Sequence, residues 1–241
     1  MNLKKVMLAA VAVAMGATTV FAQEAAAEES CSRAPRSYGW SVIAVGLATP
    51  VQIPWGLNKW DIFGLDLNLG YSDAPKMYGW EFALGANTAR QRMVGLQTAL
   101  GFNYTAEDAY GMAVSLFNMN RCKAYGLSVD AVGFNNNFYG LEANLVGAFT
   151  KKDFGGLQVS GLTSIVGDNL YGAQLAVGAN FAKYVYGLQA AIVYNQTDKL
   201  CGCQIALVNM AFECEHGFQI GLVNVIMDNQ LPFLPFVNAY F

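Results

Sequence analysis

Apolar and polar residues alternate along most of this chain, and the alternation restarts at a glycine about every fifteen residues. The segment from Tyr186 to Asn195 shows the pattern, because the apolar Leu188 follows Gly187 and the polar Gln189 follows Leu188. A period of this length is typical of a repeat protein in which each unit is one short element plus one turn. The twelve glycines that align the copies are Gly39, Gly64, Gly79, Gly95, Gly111, Gly126, Gly140, Gly156, Gly172, Gly187, Gly202 and Gly217.

Within each unit the alternation has a period of two. With the glycine counted as position 0, positions +1, +3 and +5 are apolar with few exceptions, as at Leu175 and Val177, whereas +2 is mostly Gln, Glu, Asp or Ser. This period predicts a strand in each unit and not a helix. Polar segments such as 151–153 and 197–199 separate the units, and short turns between adjacent strands predict an antiparallel meander.

The apolar face of such a sheet must meet either a protein core or lipid, and the aromatic residues favour lipid. Ten steps of about 3.3 Å, tilted by about 40°, project onto about 25 Å, which is the height of the lipid-facing band of an outer-membrane barrel. We therefore predict an all-β fold, an up-and-down antiparallel meander that closes into a transmembrane β-barrel of about 12 to 14 strands, one strand per repeat of 15–16 residues. Its predicted aromatic girdle at position −1 is Tyr38, Phe63, Tyr78, Tyr110, Tyr125, Tyr139, Tyr171 and Tyr186.

In this barrel the even positions would face the lumen. All charges within the strand cores are acidic and lie on the even face, which fits a polar lumen and an uncharged lipid-facing side. The predicted lumen-facing residues are Asp66, Glu81, Gln97, Glu142, Gln158, Gln174, Gln189, Gln204 and Gln219.

The composition of the chain excludes several classes of function and does not alter the predicted fold. The chain is 54% hydrophobic and 13% charged with a net charge of −3, so no basic face for nucleic acid is expected. The single histidine, His216, lies in a predicted surface turn, and Cys201 and Cys203 are interpreted as apolar fillers without metal-ligand spacing. No catalytic triad or phosphate-binding loop is recognisable, so neither catalysis nor a cofactor is predicted.

Both ends of the sequence carry predicted signals. Residues 1–22 have the charged, apolar and small-residue regions of a secretory signal peptide, with cleavage near Ala22. Residues 23–36 form a polar flexible leader, and residues 37–241 form the repeat domain. The terminal Phe241, which shares its parity with Ala239 and Val237, is similar to the terminal signal of bacterial outer-membrane barrels. That similarity implies the barrel-assembly machinery and the outer-membrane lipid of a Gram-negative cell as partners.

The repeats 217–224 and 202–209 read GFQIGLVN and GCQIALVN from their glycines. They follow the pattern Gly-x-Gln-x-Gly-x-x-Asn, with Ala206 in place of the second glycine in the repeat 202–209. This pattern, together with the close LPFLPFVNAYF at 231–241, resembles the leptospira-type surface-repeat proteins. The resemblance covers about residues 48–241, and it implies a secreted, surface-associated protein without an established activity.

Two functions remain open from the sequence. The first is a surface protein of the outer membrane with a structural or small-pore, porin-like role. The alternative is a secreted or periplasmic soluble β-repeat, a solenoid or meander, that works as an adhesion or scaffold module with its odd face inward and the Gln column outside. An enzyme is not expected.

Overall fold

A computed structural model describes residues 37–49, 51–53, 55 and 59–240. The predicted signal peptide, the leader and Phe241 lie outside the described residues. The described residues belong to one compact unit, Ala34–Phe241. In this part of the chain there is no helix with the length and apolar character needed to cross a membrane.

The described chain is a succession of strands joined into one sheet. From β3 to β13 each strand pairs with its sequence neighbours, whereas β1 lies between β2 and β3. β7 also pairs with β5 and β9 because it runs continuously through more than two repeats. The strands are β1 (Gly39–Ala48), β2 (Val51–Ile53), β3 (Trp60–Asn68), β4 (Tyr71–Ala83), β5 (Ala86–Ala99), β6 (Phe102–Thr105), β7 (Ala109–Thr150), β8 (Phe154–Ser160), β9 (Thr163–Ala176), β10 (Ala179–Ala191), β11 (Tyr194–Ile205), β12 (Val208–Ile226) and β13 (Phe233–Tyr240).

The pairing from β3 to β12 is parallel, and this overturns the predicted barrel. Gly187 pairs with Gly172 on one side and with Gly202 on the other, so equivalent positions of successive repeats lie directly above one another. The fold is a β-solenoid of stacked coils, and the predictions of an antiparallel meander, a closed barrel and a porin-like lumen were wrong. Each repeat of about fifteen residues is one full coil and not one strand with its turn.

Each coil has three sides separated by bends. One bend lies at the glycine, where φ is 143° at Gly187, and the second lies at +5 and +6, where the strands break between Ala191 and Tyr194. The third lies near +11, where the alternation of inward and outward side chains breaks, because Ala182 and Val185 are both buried although they are three residues apart. Because the chain turns within its own repeat, it returns to its starting point one strand spacing higher, which is what makes successive strands parallel.

The glycine column exists because no side chain fits at the first bend. A Cβ placed on Gly172 would overlap the carbonyl oxygen of Gly156, and a Cβ on Gly187 would overlap that of Gly172. Positive φ adds a conformational requirement that favours glycine. The column begins at Gly64 and not at Gly39, because Gly39 pairs with Trp60 and the oxygen beneath Gly64 belongs to Val42.

The interior of the coil is partly apolar and partly polar. Position −2 supplies buried apolar side chains such as Phe138, Phe154 and Leu170, which form the largest core cluster. In most coils position +2 supplies Gln or Glu, with Gln189 fully buried, and the second side of the coil supplies buried Asn. The alternative soluble fold was therefore right about a solenoid but wrong about its faces, because the Gln column lies inside and the odd positions point outward.

Antiparallel strands cover both ends of the stack. At one end β2 pairs with β1, with Gly46 opposite Gln52, and at the other end β13 pairs with β12, with Ile220 opposite Val237. Capping of this kind satisfies backbone groups that a terminal coil would leave open to another chain.

Candidate interaction surface

The residues predicted to face a lumen form a hydrogen-bonded column inside the coils. Each glutamine donates from Nε2 to the side-chain oxygen of the residue at the same position in the preceding coil. An amide both donates and accepts, so identical residues stacked one strand spacing apart can pair repeatedly. The links are Gln97 to Glu81 at 2.9 Å, Gln158 to Glu142 at 2.9 Å, Gln174 to Gln158 at 3.0 Å, Gln189 to Gln174 at 3.0 Å, Gln204 to Gln189 at 2.8 Å and Gln219 to Gln204 at 2.8 Å.

A second column, of asparagines, runs through the next side of the coil. Asn180 donates from Nδ2 to Oδ1 of Asn195 at 3.0 Å, Asn195 to Asn209 at 3.0 Å, and Asn209 to Asn224 at 2.9 Å. Each of these asparagines donates toward the following coil, whereas each glutamine donates toward the preceding one. The amide columns tie successive coils together inside the stack, so they are part of the scaffold.

Four of the buried carboxyls have a raised pKa. Burial raises the pKa of Glu81 to about 7, with a further contribution from the carboxyl of Asp66 in the preceding coil. Burial likewise raises the pKa of Glu142 to about 7 and the pKa of Asp66 and Asp130 to about 6. Ser72 and Asn68 donate to Asp66, and Ser128 and Ser115 donate to Asp130, and these hydrogen bonds oppose part of the effect of burial.

The residues predicted as a girdle line one edge of the solenoid. Tyr110, Tyr125 and Tyr139 stack in succession with ring centroids 5.1 and 5.2 Å apart, and Tyr171 stacks on Tyr186 at 5.2 Å. Phe63 stacks on Tyr78 at 4.8 Å, while Tyr38 lies largely exposed beyond the column. The parallel register places equivalent positions of successive coils above one another, so these rings form short stacks along the solenoid, interrupted at Val94 and Gly155, and not a belt around it.

The first side of the coil presents an apolar outer face, which we call the apolar face and define as positions +1, +3 and +5 from the Gly79 coil to the Gly217 coil. These positions carry no charged residue in any of the ten coils. Side chains that are more than a third exposed include Trp80, Leu84, Leu100, Met112, Val114, Leu116, Val129, Leu141, Leu145, Val159, Val177, Ile192, Ile205, Leu207, Phe218, Ile220 and Leu222. Monomeric soluble proteins rarely expose an apolar surface of this extent.

Exposed charged residues such as Lys183 and Glu215 lie on the third side of the coil. Lys199 Nζ lies 2.6 Å from Glu215 Oε1, and Lys183 Nζ lies 3.9 Å from Asp168 Oδ1. The exposed His216 lies beside Glu215 at position −1. The solenoid is therefore amphipathic in cross-section, with charges on one side and the apolar face on another.

The cysteines of the last coils do not form a metal site. Cys201, Cys203 and Cys214 are free, and burial raises the pKa of the Cys214 thiol to about 11. Within the described part of the chain no group of three or more His, Cys, Asp or Glu residues could hold a metal ion.

Sequence reasoning missed the Asn column and the meaning of the Gln column. The signal was present, since both columns repeat a self-complementary amide at one position of the unit. In an antiparallel sheet, a residue of one repeat does not lie beside the same position of the next repeat in every strand pair. In parallel coils that are in register, it lies beside the same position of the next coil throughout, so identical amides can pair.

Comparison with known proteins adds no further assignment. No family model matches the chain, and no match was found among curated proteins or solved structures. The resemblance to leptospira-type surface-repeat proteins therefore stays a prediction that rests on the repeat pattern alone.

Proposed function

We propose that this chain is a secreted, surface-associated β-solenoid that works as a non-catalytic scaffold or adhesion module. Its working part is the apolar face, and the coil interior serves as the frame that holds this face straight. Export is proposed from the signal-peptide pattern of residues 1–22.

The observation that carries the proposal is the uncharged outer side of ten successive coils. Leu145 is 77% exposed and Ile192 is 61% exposed, although both could have been polar without any loss of interior packing. An extended apolar surface of a folded protein marks an interaction site in most cases. The long, regular surfaces of solenoid proteins are commonly used for binding.

The inward residues support a structural role for the polar groups. Gln174, Gln189 and Gln204 are fully buried and hydrogen-bonded to one another, so their amides are engaged within the stack. Glu142 accepts from Gln158 at 2.9 Å and from Asn135 at 2.8 Å. These contacts account for the acidic and amide side chains without a substrate.

The test compares attachment of cells that express the full chain with attachment of cells that do not. A face variant carries Leu145→Lys and Ile192→Lys, and a matched control carries His216→Lys and Gln230→Lys, which adds the same two lysines at exposed polar positions outside the apolar face. We expect the chain to increase attachment of cells to one another. The face variant loses this gain, and the control keeps it.

Both variants are expected to fold, because the replaced side chains are exposed, and thermal unfolding of the purified proteins checks this. Equal attachment by cells with and without the chain would refute the adhesion role. Full attachment by a folded face variant would refute the assignment of that role to the apolar face.

A further inference from the structure

We infer that the apolar face binds a second copy of this chain, coil against coil in opposite directions. The inference rests on the proposed docking role of the same face and names its partner. The two copies would be related by a two-fold axis that lies between the faces, parallel to the strands, and passes between the Gly140 coil and the Gly156 coil.

The size of the apolar face fits one partner of its own kind. Ten coils at about 4.8 Å each and five residues at about 3.3 Å each give about 48 Å by about 16 Å, or about 770 Å². A specific protein interface buries about 800 Å² on each partner. One copy therefore covers the face of another almost completely.

The repeat spacing makes two copies commensurate. Both faces carry apolar columns with the same spacing between coils, so when one coil lies opposite a coil of the partner, every other coil of the face also lies opposite one. Sheets that pack face to face lie about 10 Å apart. A partner of another fold has no such matching period.

The outline of the +5 column sets the position of the axis. Leu145 is the most exposed side chain of the apolar face, and it stands between two coils whose +5 residues are small, Ala131 and Gly161. The fifth residue of every other coil in the face is Leu, Val or Ile. With the axis between the Gly140 and Gly156 coils, Leu145 of each copy lies over Gly161 of the other.

The same axis pairs the remaining coils without overhang. Val177 then lies opposite Ala131 of the other copy, which matches a larger side chain with a smaller one. Five coils, from Gly79 to Gly140, lie on one side of the axis, and five, from Gly156 to Gly217, lie on the other. All ten coils of the face are therefore used. An isologous contact of this kind closes as a dimer and does not propagate.

Charge favours a second copy over a membrane surface. Proteins that lie on membranes combine an apolar face with lysines and arginines that attract anionic headgroups. This chain has a net charge of −3, and the basic Lys183 and Lys199 on the third side are paired with Asp168 and Glu215. The face itself carries no charge that would repel an identical copy.

Analytical ultracentrifugation of the secreted chain measures the association directly. We expect a monomer–dimer equilibrium, and we expect Leu145→Lys to weaken it by at least about 30-fold, because the substitution buries two unpaired charges at the centre of the interface. Leu145→Ala weakens it without adding charge. Gln230→Lys, outside the face, leaves the equilibrium unchanged, and equal unfolding temperatures show that the variants are folded.

The relative direction of the copies is measured as the distance between two spin labels, one on each copy at position His216. This position is in the last coil and outside the face. The labelled chain has its three free cysteines replaced by alanine. The two labels are expected to be at least about 43 Å apart, which is nine coils. A short distance would mean that equivalent coils face each other, and it would overturn the proposed axis.

A chain that stays monomeric at every concentration overturns the inference, and so does a dimer that Leu145→Lys leaves intact. A monomer that floats with phosphatidylethanolamine–phosphatidylglycerol vesicles through Leu145 would assign the face to lipid instead. Cell attachment through the face by a monomeric chain would leave the proposed function standing and remove only the dimer. A dimer without cell attachment would leave the dimer standing and remove only the proposed adhesion role.

Discussion

Glu81 places an ionisable carboxyl in a column that is otherwise built largely of neutral amides. It accepts a hydrogen bond from Gln97, and its neighbour on the other side is the carboxyl of Asp66. Burial and this neighbour raise its pKa to about 7, so the folded chain holds a proton that the unfolded chain releases at a lower pH. The sign of the pH dependence follows from that difference.

We expect the free energy of unfolding to be highest below about pH 4.5 and to fall as the pH rises to about 7. The folded state binds more protons than the unfolded state across this window, so stability decreases with increasing pH. For Glu81 the rise of the pKa from 4.5 to about 7 corresponds to a loss on the order of 3 kcal/mol. Thermal unfolding at pH 5 and pH 8 measures the difference.

Glu81→Gln is expected to stabilise the chain at pH 8 and to reduce the slope, because a neutral amide accepts from Gln97 and faces Asp66 without repulsion. Glu213→Gln, at an exposed position on the charged side, serves as the control and leaves the slope unchanged. A wild-type chain that is more stable at pH 8 than at pH 5 would show that the buried carboxyls do not act as described.

Gly172 offers a second residue-scale prediction. Its φ is 129°, and an added Cβ would overlap the backbone of Gly156, so Gly172→Ala must move two coils apart. We expect a loss of about 3 kcal/mol or more in the free energy of unfolding. Gly147→Ala is the comparison, because its Cβ would lie 3.1 Å from the Phe149 ring, which can shift, and urea unfolding of both variants shows whether Gly172 is the more sensitive site.

The local pattern of apolar and polar residues predicted the strands but not the direction in which neighbouring strands run. The alternation around Leu175 correctly indicated an extended chain with odd side chains on one face and Gln174 on the other. A period of two does not say whether the next strand runs in the same or the opposite direction, and that choice depends on the bends within a repeat. The bend near +11, between Ala182 and Tyr184, has no fixed residue type that marks it in the sequence.

The apolar face was recognised for its composition but assigned to the wrong surroundings. Positions such as Leu188 and Leu222 were expected to meet lipid around a barrel, whereas they lie on one side of a stack with a filled interior. The exposure of Leu145 beside Gly161 depends on which coils are adjacent, so it could be seen only after the parallel order was known.

The pairing of the last strand, β13, leads to a prediction about the end of the stack. It pairs antiparallel with β12, where Gly217 lies opposite Tyr240 and Phe218 opposite Ala239. Deleting residues 233–241 uncovers the hydrogen-bonding edge of the final coil, and we expect end-to-end oligomers larger than a dimer, visible by light scattering after size exclusion.

The control for the cap keeps its backbone and changes only exposed side chains, with Phe236→Ser and Val237→Ser. This variant is expected to show the same size distribution as the wild-type chain. If the truncated chain remains no larger than the wild type, then β13 does not protect the end of the stack.

For the whole molecule, the stack predicts that a complete coil can be removed. Deleting residues 173–187 joins Gly172 to Leu188, which restores the sequence around each bend and the register of every column. We expect a folded solenoid that is about 4.8 Å shorter, with a β-type circular dichroism spectrum and cooperative unfolding.

Deleting only residues 180–187 removes half a coil and serves as the contrast, because it places the Gln and Asn columns out of register. This chain is expected to lose cooperative unfolding. Equal behaviour of the two deletions would be incompatible with in-register stacking, since only the first preserves it.

The opposite donation in the two amide columns has an electrical consequence. The amides from Gln158 to Gln219 and those from Asn180 to Asn224 point their side-chain dipoles in opposite directions along the stack. Aligned dipoles in a single column would add up with length, as they do along an α-helix. Here the two columns oppose each other, so the amide dipole of the solenoid grows little as coils are added.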